Sequence, residues 1–215
     1  MDLYFFNRSL ARFKAILFPL LVFFIIWMFS CQKPGLPLPP TAASSRYPNV
    51  IETDRGLAII WFEPVQEGHA LKWSEFNGRL WSNPVIITSG MEYFINWADF
   101  PSIFYNGKNH FAVHWLEKNG SGPYDYVVKV AQSFNRGRSW STPIIPHQDN
   151  KNGEHGFVSF FNVNDNKIGL VWLDGRNMVT EGHEVGYGQM TLYSTTLDKD
   201  GGLGKEILLD DRVCE

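Results

Sequence analysis

The sequence predicts an all-β fold built from repeated antiparallel sheets. Three observations indicate it: a segment ending in tryptophan recurs at a regular interval, turn residues separate short apolar runs, and few residues are charged. Only 19% of the 215 residues are charged, whereas glycine occurs 19 times and proline 12 times. Such a composition favours many short strands joined by turns over long charged helices.

Residues 1–30 are predicted to be a signal peptide. Three basic side chains precede an uncharged run over 15–30, which is short for a membrane span. The run stops at Cys31, an arrangement that resembles a bacterial lipoprotein signal in which Cys31 carries the lipid. An uncleaved N-terminal anchor is the alternative. Both place the rest of the chain outside the cytoplasm, so we expect an exported envelope protein attached to the membrane through its N terminus.

Residues 31–45 are rich in proline and serine and are predicted to be a semi-rigid linker. The folded domain is predicted over 46–215. Cys214 is the second cysteine of the chain, and it has no intrachain partner if Cys31 is lipidated.

Aligning the chain with itself reveals an internal repeat. The runs "GLAIIWFE" (56–63), "HFAVHWLE" (110–117) and "IGLVWLD" (168–174) are apolar strands that end in tryptophan, a large apolar residue and an acid. Their tryptophans are spaced 54 and 57 residues apart. This segment is predicted to be the second strand of each repeat.

A first strand precedes each tryptophan strand. These segments align at four positions spaced 53, 57 and 55 residues apart: Pro48, Pro101, Val158 and Val213. Two further strand-like runs follow, with "ALKWSEFNGRLWSNPVII" (70–87) matching "VVKVAQSFNRGRSWSTPII" (127–145) and, more loosely, 190–209. The unit is therefore about 55 residues with four strands, which is the composition of a β-propeller blade.

The turn between the last two strands carries a serine, a glycine and a tryptophan. In this position glycine tolerates a positive φ at the hairpin tip. Serine and asparagine side chains satisfy the free backbone donors of the turn, and the tryptophan covers it. The residues concerned are Ser133, Asn135, Gly137 and Trp140, with a weaker copy at Ser74, Gly78 and Trp81.

These turns resemble the Asp-box, Ser-x-Asp-x-Gly-x-x-Trp, of bacterial neuraminidase repeats, with Asn135 in place of the aspartate. The segments "NWADFPSI", "EHGFVSF", "GLVWLDGR" and "LLDDRVC" resemble a group of exported bacterial sialidase-like proteins. The resemblance covers 46–215 and implies a six-bladed propeller. Because three units and the start of a fourth are recognisable, we expect an incomplete propeller with an exposed sheet edge.

In propellers, the first strands of the blades line a central funnel where ligands bind. Polar residues at the predicted starts of these strands are therefore candidates for substrate binding: Arg46, Glu154, His155, Asp211 and Arg212. Arginine offers a planar fork for a sugar carboxylate. A carboxylic acid with a raised pKa can protonate a leaving glycosidic oxygen, and Asp99 is the main candidate for this role.

Asp174, in "WLDGR", is a second catalytic candidate. It lies where the other repeats place Glu63 and Glu117, so a structural hydrogen bond is the alternative. The resemblance implies a sialidase-type enzyme whose Tyr–Glu pair and remaining arginines come from later blades. Arg46, two residues before Pro48, resembles the arginine of the Phe/Tyr-Arg-Ile-Pro motif without its preceding aromatic residue.

The sequence leaves open a hydrolase acting on terminal sialic acid or a related acidic sugar, and a non-catalytic propeller that binds glycan or protein. A third alternative is the inactive product of a broken gene. With a net charge of −3 and no basic run downstream of the signal, nucleic acid is not expected as a partner. No cofactor is predicted. No metal is predicted either, since His110, His114 and His155 lack close ligand spacing.

Overall fold

The computed structural model describes residues 35–178 and 188–213. The chain divides into two compact units, Met1–Pro37 and Leu38–Glu215, and only residues 35–37 of the first are described. The predicted signal peptide, Cys31 and Cys214 lie outside the described residues. In the described ranges, no helix is long and apolar enough to cross a membrane.

The described part of the second unit is all-β. Its strands are β1 Arg46–Thr53, β2 Gly56–Pro64, β3 His69–Phe76, β4 Val85–Gly90, β5 Ser102–Tyr105, β6 Phe111–Lys118, β7 Tyr126–Ser133, β8 His155–Asn164, β9 Lys167–Asp174, β10 Thr191–Asp198 and β11 Ile207–Asp210. They form three antiparallel sheets in chain order, namely β1–β4 (blade 1), β5–β7 (blade 2) and β8–β11 (blade 3).

The fourth strand of blade 2 is reduced to a single bridge. Ile144 and Val130 exchange two backbone hydrogen bonds of 2.9 Å. Pro143 precedes Ile144, Pro146 follows Ile145, and neither proline has a backbone N–H to donate to the sheet. The repeat predicted from sequence is therefore complete in blades 1 and 3 and shortened in blade 2.

The first strands of the three blades lie side by side. β1 packs against β5 and β5 against β8, and the side chain of Asn49 in β1 accepts a 3.0 Å hydrogen bond from the backbone N–H of Ile103 in β5. Sheets that meet at their first strands radiate as propeller blades do. The predicted all-β, propeller-type fold class is confirmed, with three blades in the described residues.

Two apolar clusters fill the spaces between the blades. Phe111, Val113 and Trp115 of β6 lie in the cluster shared with blade 1, whereas Ala112 and Leu116 lie in the cluster shared with blade 3. Both faces of blade 2 are therefore buried. This burial explains why its second strand is a continuous apolar run and not an alternating one.

Two side chains of the turn over 133–140 accept hydrogen bonds from its own backbone. Ser133 Oγ accepts from the N–H of Gly137 at 2.8 Å, and Asn135 Oδ1 accepts from the N–H of Ser139 at 2.9 Å. Gly137 has a φ of 71°. Trp140 packs edge-on against Trp73 of blade 1, with ring centroids 6.1 Å apart, so the turn joins two blades.

The corresponding turn of blade 1 uses a related arrangement. Ser74 Oγ donates to the carbonyl of Ser82 at 2.8 Å, Gly78 has a φ of 89°, and the Trp81 ring lies 5.2 Å from that of Phe76. The serine, glycine and tryptophan therefore stabilise the turn. They lie apart from the starts of the first strands, where the candidate site residues are.

Candidate functional site

Asp99 is held at the entry to β5 by a turn that its own sequence forms. Asn96 Oδ1 accepts hydrogen bonds from the N–H groups of Ala98 and Asp99 at 2.8 and 2.7 Å. Asparagine side chains commonly close turns in this way. Pro101 follows and favours extended backbone before it, so the chain turns at Asp99 and enters the first strand of blade 2.

The Asp99 carboxylate reaches across to blade 3. Asp99 is only 5% exposed, and its Oδ2 accepts a 2.8 Å hydrogen bond from the N–H of Phe157 in β8. The oxygen occupies the space where a Cβ at Gly156 would lie, so a larger residue there would displace the carboxylate or the strand. Burial, together with the charge of Glu154, raises the pKa of Asp99 to about 6 against the lowering effect of the Phe157 N–H.

Glu154 is the second carboxylate of the site. It is partly buried, and its Oε1 accepts a 2.8 Å hydrogen bond from the hydroxyl of Tyr126. Tyr126 is buried at the start of β7 beneath the ring of Phe94, which stacks on it at 4.0 Å. Burial and the charge of Glu154 raise the pKa of Tyr126 well above its usual value, so the phenol stays protonated.

The Tyr126–Glu154 pair was not predicted from sequence, which placed a Tyr–Glu pair in later blades only. The two residues are 28 positions apart and belong to different blades. Neither lies in a motif that marks the pairing, and the contact arises from the packing of blade 2 against blade 3.

His155 is fully buried directly after Glu154. Its ring stacks on that of His147, with centroids 3.8 Å apart and planes 8° apart. Asp149 lies between them, 3.0 Å from His147 Nδ1 and 3.2 Å from His155 Nε2. The His155 ring is enclosed by protein and supports the entry to β8, whereas sequence reasoning placed it in contact with substrate.

In the described ranges, one group of side chains could hold a metal ion. Its ligand atoms lie within 4.8 Å of one another and belong to His147, Asp149 and His155. A metal lies in the ring plane of each histidine that binds it, along the nitrogen lone pair. Two nearly parallel planes do not meet at one ion, so this arrangement fits a hydrogen-bonded cluster and not a metal centre.

Asp174 is also fully buried. Its carboxylate accepts from Trp172 Nε1 at 2.7 Å and from Arg176 Nε at 2.8 Å, and Arg176 also contacts Glu206 at 3.0 Å. Hydrogen bonds from Arg176 and Trp172 and the charge of His155 lower the pKa of Asp174 against the opposing effect of burial. The structure therefore places this catalytic candidate inside an ion-pair network.

The remaining predicted residues are exposed. Arg46 is at the start of β1, where it pairs in register with Phe62. Asp211 and Arg212 follow β11, and the N–H of Arg212 bonds to Asp210 Oδ1 at 3.0 Å. Asp99, Glu154 and His155 are brought together by the contact between blades 2 and 3.

Three exposed aromatic residues flank Asp99. Trp97 is 83% exposed, Phe157 45% and Phe100 39%. Phe157 also has a φ of 52°, a left-handed conformation that is unusual for a bulky residue. Trp97 and Phe100 lie close to Asp99 in the chain and the Phe157 N–H binds it, so exposed aromatic residues surround Asp99 along the backbone, as in many ligand sites.

No family model matches the chain, and neither does any curated protein. Solved structures similar to it include an α-L-arabinofuranosidase from Fusarium graminearum (16% identity, TM-score 0.46, 79% of this chain and 50% of that one). Others are the catalytic domain of a GH62 α-L-arabinofuranosidase from Coprinopsis cinerea (12%, 0.45, 82% and 56%) and an α-L-arabinanase from Penicillium chrysogenum (17%, 0.44, 79% and 51%).

The chain spans about half the length of these structures. The likeness is distant, so the interpretation of the site rests on its own geometry. Membership of the sialidase-like group remains a prediction from the sequence.

Proposed function

We propose that the protein is an exported glycoside hydrolase in which Asp99 acts as the general acid and Glu154 as the second carboxylate. The observation that carries the proposal is the buried Asp99 carboxyl, whose pKa is raised to about 6 beside Glu154. A carboxyl near this value is partly protonated under mildly acidic conditions. It can therefore give its proton to a leaving oxygen.

In this reaction Asp99 transfers its proton to the glycosidic oxygen as the bond from that oxygen to the anomeric carbon breaks. Glu154 either removes a proton from the water that attacks the anomeric carbon, or attacks that carbon itself to form a glycosyl ester. In the second case a water that gives its proton to the Asp99 carboxylate then hydrolyses the ester. The Tyr126 hydroxyl orients Glu154 by donating a hydrogen bond to its carboxylate. The raised pKa of Tyr126 keeps its hydroxyl protonated, so Tyr126 serves Glu154 as a hydrogen-bond donor.

The substrate class we propose is a glycan with a terminal acidic sugar, sialic acid or a relative. Support comes from the sequence resemblance, which implies that arginine guanidinium groups bind a sugar carboxylate. Trp97 and Phe157 offer flat apolar surface to a sugar ring.

The test is turnover of a panel of fluorogenic glycosides that pairs a sialoside and a glucuronide with a neutral α-L-arabinofuranoside. Asp99→Asn is expected to lower kcat/KM by about 100-fold or more, the scale of one general acid. The matched control is Asp200→Asn, an exposed aspartate in the turn after β10, which should leave turnover unchanged. Absence of turnover on every substrate, or an active Asp99→Asn variant, contradicts the proposal.

The second candidate is a non-catalytic propeller that binds glycan at the envelope. The exposed Trp97, Phe100 and Phe157 favour it, because an aromatic surface binds sugars without any chemistry. Binding of a sialylated glycan that Trp97→Ala weakens and Asp99→Asn leaves intact, in a protein without turnover, would support this candidate.

We further propose that Cys31 is lipidated and anchors the protein to the bacterial envelope. In cells fed a labelled fatty acid, the wild-type protein should take up label and fractionate with membranes. Cys31→Ala should do neither, and label on that variant would contradict the proposal.

A further inference from the structure

Both nitrogens of the His155 ring face hydrogen-bond acceptors. Nδ1 lies 3.1 Å from the carbonyl oxygen of Gly153 and 3.3 Å from that of Tyr126. Nε2 lies 3.2 Å from Asp149 Oδ2 and 3.7 Å from Asp174 Oδ1. A neutral imidazole has one nitrogen lone pair, which would point at an oxygen on either side. The geometry therefore requires N–H on both nitrogens.

His147, which stacks on His155, needs a proton on only one of its ring nitrogens. Its Nδ1 is 3.0 Å from Asp149 Oδ1 and can donate to it, whereas its buried Nε2 has no partner among the described residues. A second cation 3.8 Å from the His155 ring would be repelled. Burial, and the charge of His155, lower the pKa of His147, so His147 is neutral with its proton on Nδ1.

The surrounding charges favour a single cation in this cluster. Among the side chains that pair with one another here, Asp149, Asp174 and Glu206 are carboxylates and Arg176 is the one permanent cation, with the exposed Lys151 and the partly buried Glu154 at the edge. A charged His155 halves the excess of negative charge. In a site shielded from water, each uncompensated charge is expensive.

We propose that His155 is a constitutively protonated positioning residue that fixes the Tyr126–Glu154 pair across the junction of blades 2 and 3. Its Nδ1–H binds the carbonyl groups of both segments that carry the pair, namely Tyr126 itself and Gly153, the residue before Glu154. The Gly153 carbonyl also accepts from the N–H of Tyr126 at 3.2 Å. The catalytic meaning of this role rests on the proposed function, whereas the charge state does not.

The contribution of His155 to the stability of the fold should decrease as pH rises. The Asp149 hydrogen bond and the charge of Asp174 raise the pKa of His155 above its usual value although burial opposes them. A histidine with a raised pKa stabilises the fold fully below about pH 6.5, and this contribution is lost as pH rises through the folded-state pKa. His147, with its lowered pKa, acts in the opposite direction and destabilises the fold on acidification.

The first experiment is imidazole NMR of the ¹⁵N-labelled protein at pH 7.5. His155 should show protons on both ring nitrogens, and His147 should show the neutral Nδ1–H form. Assignment uses the variants His155→Gln and His147→Gln. A neutral His155 at this pH overturns the proposal, whether or not the protein has enzymatic activity.

The second experiment compares His155→Gln with the matched control His114→Gln. His114 is likewise buried in a neighbouring blade, but burial lowers its pKa to about 3, so it is neutral. The wild type and His114→Gln should both lose melting temperature between pH 6.5 and 9, and His155→Gln should lose markedly less. Equal losses in all three proteins contradict the proposal.

If the protein turns over a glycoside, His155→Gln should lower kcat at least 10-fold with little change in KM, and His114→Gln should not. His155→Arg, which restores the cation, should recover part of that loss. An equal loss in His155→Gln and His155→Arg contradicts a role for the charge. Failure of the proposed function alone leaves the NMR and melting results intact, so the two failures are distinguishable.

Discussion

The indole N–H of Trp172 donates to the carboxylate of Asp174, two residues later, at 2.7 Å. The same hydrogen bond joins Trp115 to Glu117 at 2.8 Å and Trp61 to Glu63 at 3.1 Å. The tryptophan and the acid that mark each repeat in the sequence are therefore a single structural device at the end of every second strand.

The acid of this tryptophan–acid pair is buried to a different depth in each blade. Replacing it with its amide should therefore lower the free energy of unfolding by different amounts. Asp174 has no exposed side-chain surface and compensates Arg176, whereas the side chain of Glu117 is 28% exposed. Asp174→Asn is expected to lower the free energy of unfolding by about 3–5 kcal/mol, the cost of breaking a buried ion pair. Glu117→Gln should cost about 1 kcal/mol or less. Urea denaturation of both variants measures this, and equal losses would contradict the structural role of Asp174.

Asp99→Asn should make the protein more stable at neutral pH. The pKa of Asp99 is raised from 3.8 to about 6 by burial, so the folded state binds the proton more tightly than the unfolded chain. The ionised carboxylate therefore destabilises the fold above about pH 6, by up to ~3 kcal/mol at about 1.4 kcal/mol per pKa unit.

Asparagine removes that charge and keeps an acceptor for the N–H of Phe157. The gain in unfolding free energy should be largest at pH 7.5 and should vanish near pH 4. The exposed Asp200→Asn is the control. A variant less stable than wild type at pH 7.5 would argue against the buried charge.

Gly156→Ala should disrupt the contact between Asp99 and blade 3. A methyl group at this position would overlap the Asp99 carboxylate, so either the carboxylate or β8 must move, at a cost of about 1–3 kcal/mol. Combining it with Asp99→Gly, which removes the overlapping atoms, should recover part of that loss in a double-mutant cycle. Gly202→Ala, where a methyl makes ordinary contacts, should be nearly neutral, and additive losses would contradict the predicted overlap.

Gly137→Ala should lower the stability of the protein by more than the strain of its backbone conformation alone. Gly137 and Gly201 both have positive φ values, 71° and 85°, which cost a non-glycine residue about 1 kcal/mol or more. A methyl at Gly201 meets open space, whereas one at Gly137 would overlap the indole of Trp73 in blade 1. Thermal melts should therefore show a larger loss for Gly137→Ala than for Gly201→Ala, and similar losses would contradict the packing of this turn on blade 1.

The blades were predictable because their signals are local. Trp61, Trp115 and Trp172 repeat at a fixed interval, and the turn at Gly137 needs particular residues at particular positions. The short fourth strand of blade 2 follows from Pro143 and Pro146, although the repeat alone suggested a full strand.

The site was predictable only in part. Asp99 stands out because it precedes a first strand. The partners of Asp99 and Glu154 come from other blades, and no sequence spacing reports a contact such as Tyr126 with Glu154. Likewise, the stacking of His147 on His155 depends on how the segment between β7 and β8 folds back, which sequence patterns do not encode.

The central claim is that blades 2 and 3 hold Asp99 as a buried carboxyl that is still partly protonated at mildly acidic pH. The most direct test is a ¹³C NMR titration of the Asp99 carboxyl, assigned with Asp99→Asn. We expect a midpoint near pH 6. A midpoint near the ordinary value of about 4 would contradict the claim and remove the proposed acid from the site.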